Sequence, residues 1–221
     1  SNECIIILCE GDSAKSGIIS GLSREDRNYI GVYPMKGKML NVRGETVTKL
    51  NDNKEITEIK QIVGLEHGKK YSESDIKSKL RYGKIIFMTD QDLDGSHIKG
   101  LGINVIDSEW KSLINIPKFI GYMNTPILKA TKGKEIMQFY NNGEFEVWKQ
   151  TIDITKYHIK YYKGLGTSTG KEFKEYFENK KIVNFTMGEN CDDAIDMVFN
   201  KKRANDRKTW LSNYDRHAYL N

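Results

Sequence analysis

Residues 85–95 read Ile85-Ile86-Phe87-Met88-Thr89-Asp90-Gln91-Asp92-Leu93-Asp94-Gly95, an apolar run of strand length that leads directly into three alternating carboxylates. The apolar part is typical of a strand that is buried on both faces of a parallel sheet. In open α/β folds, ligands bind at the carboxyl ends of such strands. Three like charges this close together repel one another unless a cation lies between them, and oxygen ligands suit Mg²⁺. The stretch therefore predicts metal-assisted chemistry, with phosphate as the expected substrate class.

The beginning of the chain repeats this pattern with a single acidic residue. Cys4-Ile5-Ile6-Ile7-Leu8-Cys9 is a second continuous apolar run, and Glu10 and Gly11 follow it. A glycine at this point permits a tight turn into a helix. Because parallel strands end at the same edge of a sheet, we expect Glu10 to emerge beside Asp90. Alone, each signal is weak, but together they predict a site where one Glu and an Asp-x-Asp pair share metal ions.

Other interpretations of the acidic stretch can be weighed on its spacing. It matches the first six positions of an EF-hand calcium loop, but the twelfth position is Leu101 instead of the required Glu, which excludes that loop. Residues 92–96 also resemble the nucleophile loop of haloacid-dehalogenase-type phosphatases, with Asp92 as the nucleophile. In those enzymes the strand runs directly into the first Asp, whereas Asp90 already ends the strand here. A solvated acidic turn is the third interpretation, and the preceding buried-type strand disfavours it.

Six motifs occur in a fixed order along the chain and are more informative together than any one of them alone. They are Glu10-Gly-Asp-Ser-Ala-Lys-Ser16, Pro34-Met-Lys-Gly-Lys-Met-Leu-Asn-Val-Arg43, Arg81-Tyr-Gly-Lys84, Met88-Thr-Asp-Gln-Asp92, Asp94-Gly-Ser-His-Ile-Lys-Gly-Leu101 and Tyr161-Tyr-Lys-Gly-Leu-Gly-Thr-Ser-Thr169. This series resembles the Toprim region of type IIA DNA topoisomerases, of the type found in eukaryotes and in large DNA viruses. The resemblance extends over residues 3–211, which is nearly the whole chain.

The resemblance implies an α/β fold with two parts. Residues 1–125 are expected to form the Toprim domain, a Rossmann-like parallel sheet flanked by helices. Residues 126–221 are expected to form a C-terminal α+β extension that leads toward a winged-helix domain outside this chain. The alternation of apolar strand patterns and helical patterns in the first part agrees with a parallel sheet. It includes a helix predicted over residues 98–113, directly after the acidic stretch.

The resemblance also implies a function, that of an ATP-dependent enzyme that cleaves and religates duplex DNA for strand passage. Glu10, Asp90, Asp92 and Asp94 are implied as metal ligands, with Glu10 also placed for catalytic proton transfer. Two Mg²⁺ ions per site are expected, and Mn²⁺ or Ca²⁺ is expected to substitute in binding. In this family the nucleophilic tyrosine lies in the winged-helix domain, and ATP is used by another domain outside this chain. We therefore expect the chain to be inactive alone.

Basic residues near these motifs are candidates for contact with the DNA backbone. Three lie around Gly37 in a short loop, where cations and backbone can approach a phosphate together. The family usually has Leu-Arg where this chain has Met35-Lys36, and lysine keeps the charge but loses the bidentate fork of arginine. Further basic residues in 201–208 form either a solvated face or a DNA-facing helix. The predicted DNA-binding residues are Lys36, Lys38, Arg43, His97, Lys99 and Lys163.

Composition sets weaker bounds on the protein. The formal net charge is +5, a modest excess for a nucleic-acid binder, and the cysteines number three, which suggests free thiols in a reducing compartment. No apolar run is long enough for a membrane span, so we expect no membrane partner. The expected partners are double-stranded DNA, the winged-helix and ATPase domains of the same protein, and a second copy in a full-length homodimer.

Two expectations concern where the protein acts and what else it could be. An intracellular location is expected: the nucleus for a cellular eukaryotic protein, and the host nucleus, a cytoplasmic factory or the virion for a viral one. Besides the phosphatase, a non-catalytic DNA-binding module stays open as an alternative function. Intact Glu10, Asp90 and Asp92 argue against such a module, since a scaffold needs no carboxylate cluster.

Overall fold

Two sheets are formed by the eight strands of the computed structural model, which describes residues 3–214. The strands are β1 (Ile5–Glu10), β2 (Ile30–Met35), β3 (Lys84–Met88), β4 (Ile120–Met123), β5 (Leu128–Lys132), β6 (Glu135–Phe139), β7 (His158–Tyr161) and β8 (Ile182–Asn184). The larger sheet has the strand order β2-β1-β3-β4-β8, and its first four strands are parallel. The predicted α/β fold with a parallel sheet flanked by helices is confirmed.

Ten α-helices lie in the same part of the chain. They are α1 (Gly11–Gly21), α2 (Val47–Asp52), α3 (Lys54–Val63), α4 (Glu73–Lys79), α5 (Leu93–Glu109), α6 (Lys111–Ile114), α7 (Asn142–Lys149), α8 (Gly170–Glu178), α9 (Cys191–Phe199) and α10 (Ala204–Ser212). Helix α5 begins at Leu93 instead of the predicted Ile98, because Asp92 caps it: its Oδ1 accepts a hydrogen bond from the Gly95 amide at 2.7 Å. None of the helices described is long and apolar enough to cross a bilayer.

The central strands are apolar throughout because both faces of the larger sheet are covered. Side chains alternate between the two faces, so Leu8 and Phe87 join one core cluster while Ile7 and Met88 join the other. The first cluster includes residues of α3 and α5, and the second includes Ile18 of α1 and Phe173 of α8. Full burial of one such side chain stabilises the fold by about 1.5–3 kcal/mol. This packing holds the carboxyl ends of β1 and β3 rigidly at one edge.

The residues after 125 form the second sheet and then return to the first. Strands β5, β6 and β7 form an antiparallel sheet in the order β6-β5-β7, and Phe139 and Phe145 pack in its own small core. Strand β8, which the sequence patterns did not predict, pairs antiparallel with β4. Helix α8 packs on α1 so closely that a Cβ at Gly21 would lie 2.6 Å from the backbone of Phe173. The division of the chain near residue 125 stays a prediction.

Candidate metal centre

Glu10 and Asp90 lie at the same edge of the larger sheet. In the parallel pairing of β1 and β3, Cys9 is opposite Met88. Glu10 directly follows Cys9, and Asp90 lies two residues after Met88. Neighbouring strands run about 4.8 Å apart, so the two residues lie at the same edge, and the charge of Asp90 acts on Glu10. The site begins where the apolar runs end, as their pattern in the sequence indicates.

The Asp90 carboxylate is held by a loop from the C-terminal part of the chain. The backbone amide of Leu165 donates a hydrogen bond to Asp90 Oδ1 at 2.7 Å. Gly164 lies directly against the same side chain, and Gly95 lies against its backbone carbonyl. A Cβ at Gly95 would be 1.9 Å from the carbonyl oxygen of Asp90, so no larger residue fits there. Gly95 and Gly164 therefore leave the space that Asp90 occupies, because a side chain at either position would overlap it.

Asp92 and Asp94 lie at the N-terminal end of α5, and both are exposed. Asp92 is the cap residue, which leaves its Oδ2 outside the capping hydrogen bond to Gly95. Asp94 is in the first helical turn, and its Oδ1 accepts a hydrogen bond from Lys38 Nζ at 2.8 Å. That hydrogen bond and the charge of Lys38 hold the pKa of Asp94 below its usual range. The hydrogen bond from Lys38 connects Asp94 to the loop that follows β2.

The electrostatics of Glu10 show that the acidic groups act on one another. Partial burial raises the pKa of Glu10 above its ordinary value, and the charges of Asp90, Asp92 and Asp94 raise it further. Lys38 opposes this shift but does not cancel it. The donors are all carboxylate oxygens, which are the ligands that hard divalent cations prefer, so the residues fit a magnesium-type ion. A cation bound among them would relieve their mutual repulsion.

The ligand set itself stays a prediction. Within residues 3–214, no group of three or more His, Cys, Asp or Glu side chains already stands close enough together to hold an ion. The structure thus places four acidic residues at one edge of the sheet, where the charges of three of them act on Glu10. They are Glu10, Asp90, Asp92 and Asp94.

Four of the predicted DNA-binding residues are exposed near this edge. Lys36 and Lys38 flank Gly37 in the loop after β2, and an open cavity of about 330 Å³ lies between this loop and Glu10. His97 is exposed on α5, three residues after Asp94. Lys163 is exposed directly before the glycine that contacts Asp90. The exposed cations therefore surround the acidic cluster.

Arg43 faces the protein instead of the solvent. Its Nη2 donates to Asp107 Oδ2 at 2.7 Å, its Nε donates to Asn104 Oδ1 at 3.0 Å, and its Nη1 contacts Asp196 Oδ1 at 3.4 Å. The guanidinium group thereby connects the loop after β2 to α5 and α9. These contacts support a structural role for Arg43, and its predicted contact with DNA stays untested.

Lys99 is also mostly withdrawn from the solvent. Its Nζ lies 5.4 Å from the centroid of the Tyr122 ring, and burial lowers its pKa. The basic run in residues 201–208 is engaged internally only in part: Arg203 Nε pairs with Asp206 at 2.7 Å, and Arg207 Nη1 donates to the carbonyl of Asn200 at 2.7 Å. Lys202 and Lys208 are exposed. The two interpretations of this run, a solvated face and a DNA-facing helix, stay predictions.

One group of residues supports the site through contacts that no local sequence pattern indicates. Glu172 of α8 is buried, and it accepts hydrogen bonds from Lys160 Nζ at 2.9 Å and from the Tyr162 hydroxyl at 2.9 Å. Its Oε2 also accepts from the Thr169 amide at 2.8 Å. These bonds fix both ends of the glycine loop that contacts Asp90. The pattern Thr169-x-x-Glu172 is a capping box, which indicates the start of a helix and no role at this site.

Comparisons with known proteins agree with this geometry. Residues 5–119 match the family described as "Toprim domain", and residues 123–221 match the "C-terminal associated domain of TOPRIM". The chain is 49% identical over 223 residues to DNA topoisomerase 2 of Plasmodium falciparum (isolate K1 / Thailand), covering 100% of this chain and 16% of that protein. It is 50% identical over 218 residues to DNA topoisomerase 2-alpha of Homo sapiens, covering 97% of this chain and 14% of that protein.

A solved structure is similar over the same length. The crystal structure of the Plasmodium falciparum topoisomerase II DNA-binding, cleavage and re-ligation domain superposes with a TM-score of 0.93 at 48% sequence identity. The alignment covers 100% of this chain and 30% of that one. The fold of this chain is thus that of a known architecture.

The parallel sheet carries several carboxylates at one edge, and the family model of the Toprim domain matches more than half of the chain. The chain therefore belongs to the Toprim family. The Toprim domain is a metal-binding domain. Over its whole length the chain is similar to the Toprim region of type II DNA topoisomerases, of which it spans about one-sixth. The phosphatase and the non-catalytic module are not favoured by these matches.

Proposed function

We propose that this chain is the metal-binding Toprim part of an ATP-dependent type IIA DNA topoisomerase that cleaves and religates duplex DNA for strand passage. The observation that carries the proposal is the placement of Glu10, Asp90 and Asp92 at one sheet edge, where burial and then the charges of the two aspartates raise the pKa of Glu10. Its relatives are named DNA topoisomerase 2, and the similar solved structure is described as a DNA-binding, cleavage and re-ligation domain.

The mechanism follows from the charge that develops when a DNA strand breaks. Bound Mg²⁺ would supply Lewis-acid stabilisation to the departing 3′ oxygen and to the adjacent phosphate oxygens. Glu10, Asp90 and Asp92 would hold the ion, and Asp94 would complete the set for a second one. Mn²⁺ or Ca²⁺ would occupy the same oxygen ligands.

Glu10 is also proposed as the catalytic proton carrier. In the metal-free chain, burial and the charges of Asp90, Asp92 and Asp94 raise its pKa, and a cation held beside it would lower that pKa again. A general acid works best when its pKa lies near the working pH, and such proton transfer typically contributes about 10²- to 10⁴-fold to a rate. Glu10 would give its proton to the departing oxygen and take it back during religation.

Exposed cations around the acidic edge are proposed to hold the DNA. Lys36, Lys38, His97 and Lys163 would contact phosphates, which orients the duplex without reading its sequence. Each neutralised phosphate releases counterions, so binding through these side chains weakens as salt increases. The lysine at position 36 would act as a point charge instead of a bidentate fork.

The remaining parts of the reaction are proposed to lie in other domains of a longer protein. A winged-helix domain would contribute the nucleophilic tyrosine, an ATPase domain would drive strand passage, and two copies would form a homodimer. The expected location is intracellular: the nucleus for a cellular eukaryotic protein, and the host nucleus, a cytoplasmic factory or the virion for a viral one. On this proposal the 221 residues alone do not relax supercoiled DNA.

The test uses the chain extended through its winged-helix domain, incubated with supercoiled plasmid and Mg²⁺ and quenched with detergent. Protein-linked DNA breaks are then counted in the wild type, Glu10→Gln and Asp92→Asn. A matched control is Asp12→Asn, which removes an exposed carboxylate two residues from Glu10 that does not contribute to its raised pKa. We expect Mg²⁺-dependent breaks in the wild type and the control, and a loss of about 10²-fold or more in Glu10→Gln.

Other outcomes would separate the alternatives. Undiminished breaks in Glu10→Gln and Asp92→Asn would contradict the assignment of the metal ligands. DNA binding without any breaks in the wild type would favour a non-catalytic DNA-binding module. Hydrolysis of an aryl phosphate by the 221-residue chain, abolished in Asp92→Asn, would favour the phosphatase.

A further inference from the structure

The Asp90 carboxylate contacts a loop that follows it by 75 residues. The amide of Leu165 donates to its Oδ1 at 2.7 Å. A Cβ placed on Gly164 would lie 2.6 Å from Asp90 Oδ2, 2.8 Å from its Cγ and 2.9 Å from its Oδ1. A hydrogen bond to Oδ1 and close contact with Gly164 thus act on the same carboxylate. Together they restrict the carboxylate to one position.

The loop is anchored firmly enough to impose that position. Leu165 is 4% exposed and packs in the core cluster beneath α1, with Ile18 and Phe173. On the N-terminal side, the hydroxyl of Tyr162 is bonded to the buried Glu172 at 2.9 Å. On the C-terminal side, the amide and the hydroxyl of Thr167 both donate to the carbonyl of Gly164, at 3.1 and 2.8 Å. The loop is therefore held in place and cannot easily move aside if the Asp90 carboxylate changes position.

The backbone at Gly164 does not itself require glycine. Its φ of 166° and ψ of 179° describe an extended residue, a conformation that alanine adopts readily. The clash with the Asp90 carboxylate is therefore the reason why no side chain fits at this position. Gly166, two residues further in the same loop, has no atom within 4 Å of the corresponding Cβ position. It provides a matched control.

We propose that Gly164 and the backbone amide of Leu165 are positioning elements that set the Asp90 carboxylate for metal binding. The inference rests on the proposed function, in which Asp90 is a metal ligand. On this inference, the loop that contains Gly164 and Leu165 sets the position of one carboxylate at the acidic edge. In this role Gly164 and the Leu165 amide act through Asp90 and touch neither the metal nor the DNA.

The first test measures Mn²⁺ affinity of the 221-residue chain by the electron paramagnetic resonance signal of free Mn²⁺. Partners that orient a metal ligand typically change metal affinity by about 10- to 100-fold when they are altered. We expect a loss of this size in Gly164→Ala and none in Gly166→Ala. Circular dichroism and thermal unfolding, recorded without metal, establish that each variant is folded at the temperature of the measurement.

The second test asks whether Gly164 acts through Asp90, and it needs no metal. The change in melting temperature caused by Gly164→Ala is measured in the wild-type chain and in Asp90→Ala. Because the smaller side chain removes the clash, we expect a clear decrease in the wild-type background and little or none in Asp90→Ala. Equal decreases in both backgrounds would overturn the inference.

The two proposals fail in different ways. A wild-type chain that binds Mn²⁺, with Gly164→Ala binding as well as Gly166→Ala, would overturn this inference and leave the proposed function standing. A wild-type chain that binds no Mn²⁺ would overturn the metal assignment of the proposed function, and this inference with it.

Discussion

Replacement of Arg43 by alanine tests whether this residue holds the fold together or binds DNA. Its side chain is 18% exposed, and its closest partner, Asp107, has a side chain that is 3% exposed. The ion pair between them measures 2.7 Å. Within the described residues, the other oxygen of Asp107 is buried and has no hydrogen-bond partner. Arg43 is therefore the main group that compensates this buried carboxylate.

The size of the effect follows from what Arg43→Ala leaves behind. Removing one partner of a buried ion pair typically costs about 3–5 kcal/mol, because the remaining charge is uncompensated. Water can reach the space left by a partly exposed arginine, so we expect the lower end, about 3 kcal/mol. For a chain of this length, each kcal/mol lowers the melting temperature by about 2–4 °C, which gives a decrease of roughly 6–12 °C.

The assay is chemical and thermal unfolding of the 221-residue chain, followed by circular dichroism. Arg24→Ala is the control, because within residues 3–214 the exposed Arg24 side chain makes no hydrogen bond or ion pair. We expect that control to change stability by less than about 0.5 kcal/mol. A loss below about 1 kcal/mol in Arg43→Ala would refute the reasoning. If that stable variant also weakened DNA binding by the longer protein, the original prediction of a DNA contact would stand.

Two further predictions concern the acidic edge and the loop that supports it. The raised pKa of Glu10 means that its charge destabilises the folded chain as pH rises through that pKa, so without metal Glu10→Gln should raise the melting temperature at pH 7. The gain should disappear below the ordinary Glu pKa of about 4.3, and a gain that is constant with pH would contradict this origin. Glu172→Gln loses the ion pair with Lys160 and should destabilise the chain by about 1–2 kcal/mol in urea unfolding, whereas Glu178→Gln, at an exposed position on the same helix, should not. Equal effects of the two substitutions would show that the buried network is not what stabilises this region.

Much of the site could be predicted because its main parts are local in sequence. An apolar strand followed by an acid places that acid at the sheet edge, and this holds for both Glu10 and Asp90. The start of α5 was predicted at Ile98 because the acidic residues resemble a loop. The structure shows that Asp92 caps the helix instead, so local hydrogen bonding outweighed the polar composition.

Contacts between distant segments could not be predicted from these patterns. Arg43 reads as a DNA-binding cation because its loop is basic, and only packing against α5 and α9 turns its guanidinium inward. Strand β8 has three residues, too few for a recognisable alternation, and it forms because the edge of β4 is available for pairing. In both cases the deciding partner lies far away along the chain.

The sequence by itself determined the two buried strands, the acids at their ends and hence the edge where a metal and a phosphate would meet. These depend on side-chain periodicity and on the geometry of parallel strands, which are local properties. Only the tertiary structure decided that Leu165 and Gly164 hold the Asp90 carboxylate and that Asp107 holds Arg43. The physical reason is that hydrogen bonds and steric contacts depend on distances of a few ångströms, which are set by how the whole chain packs.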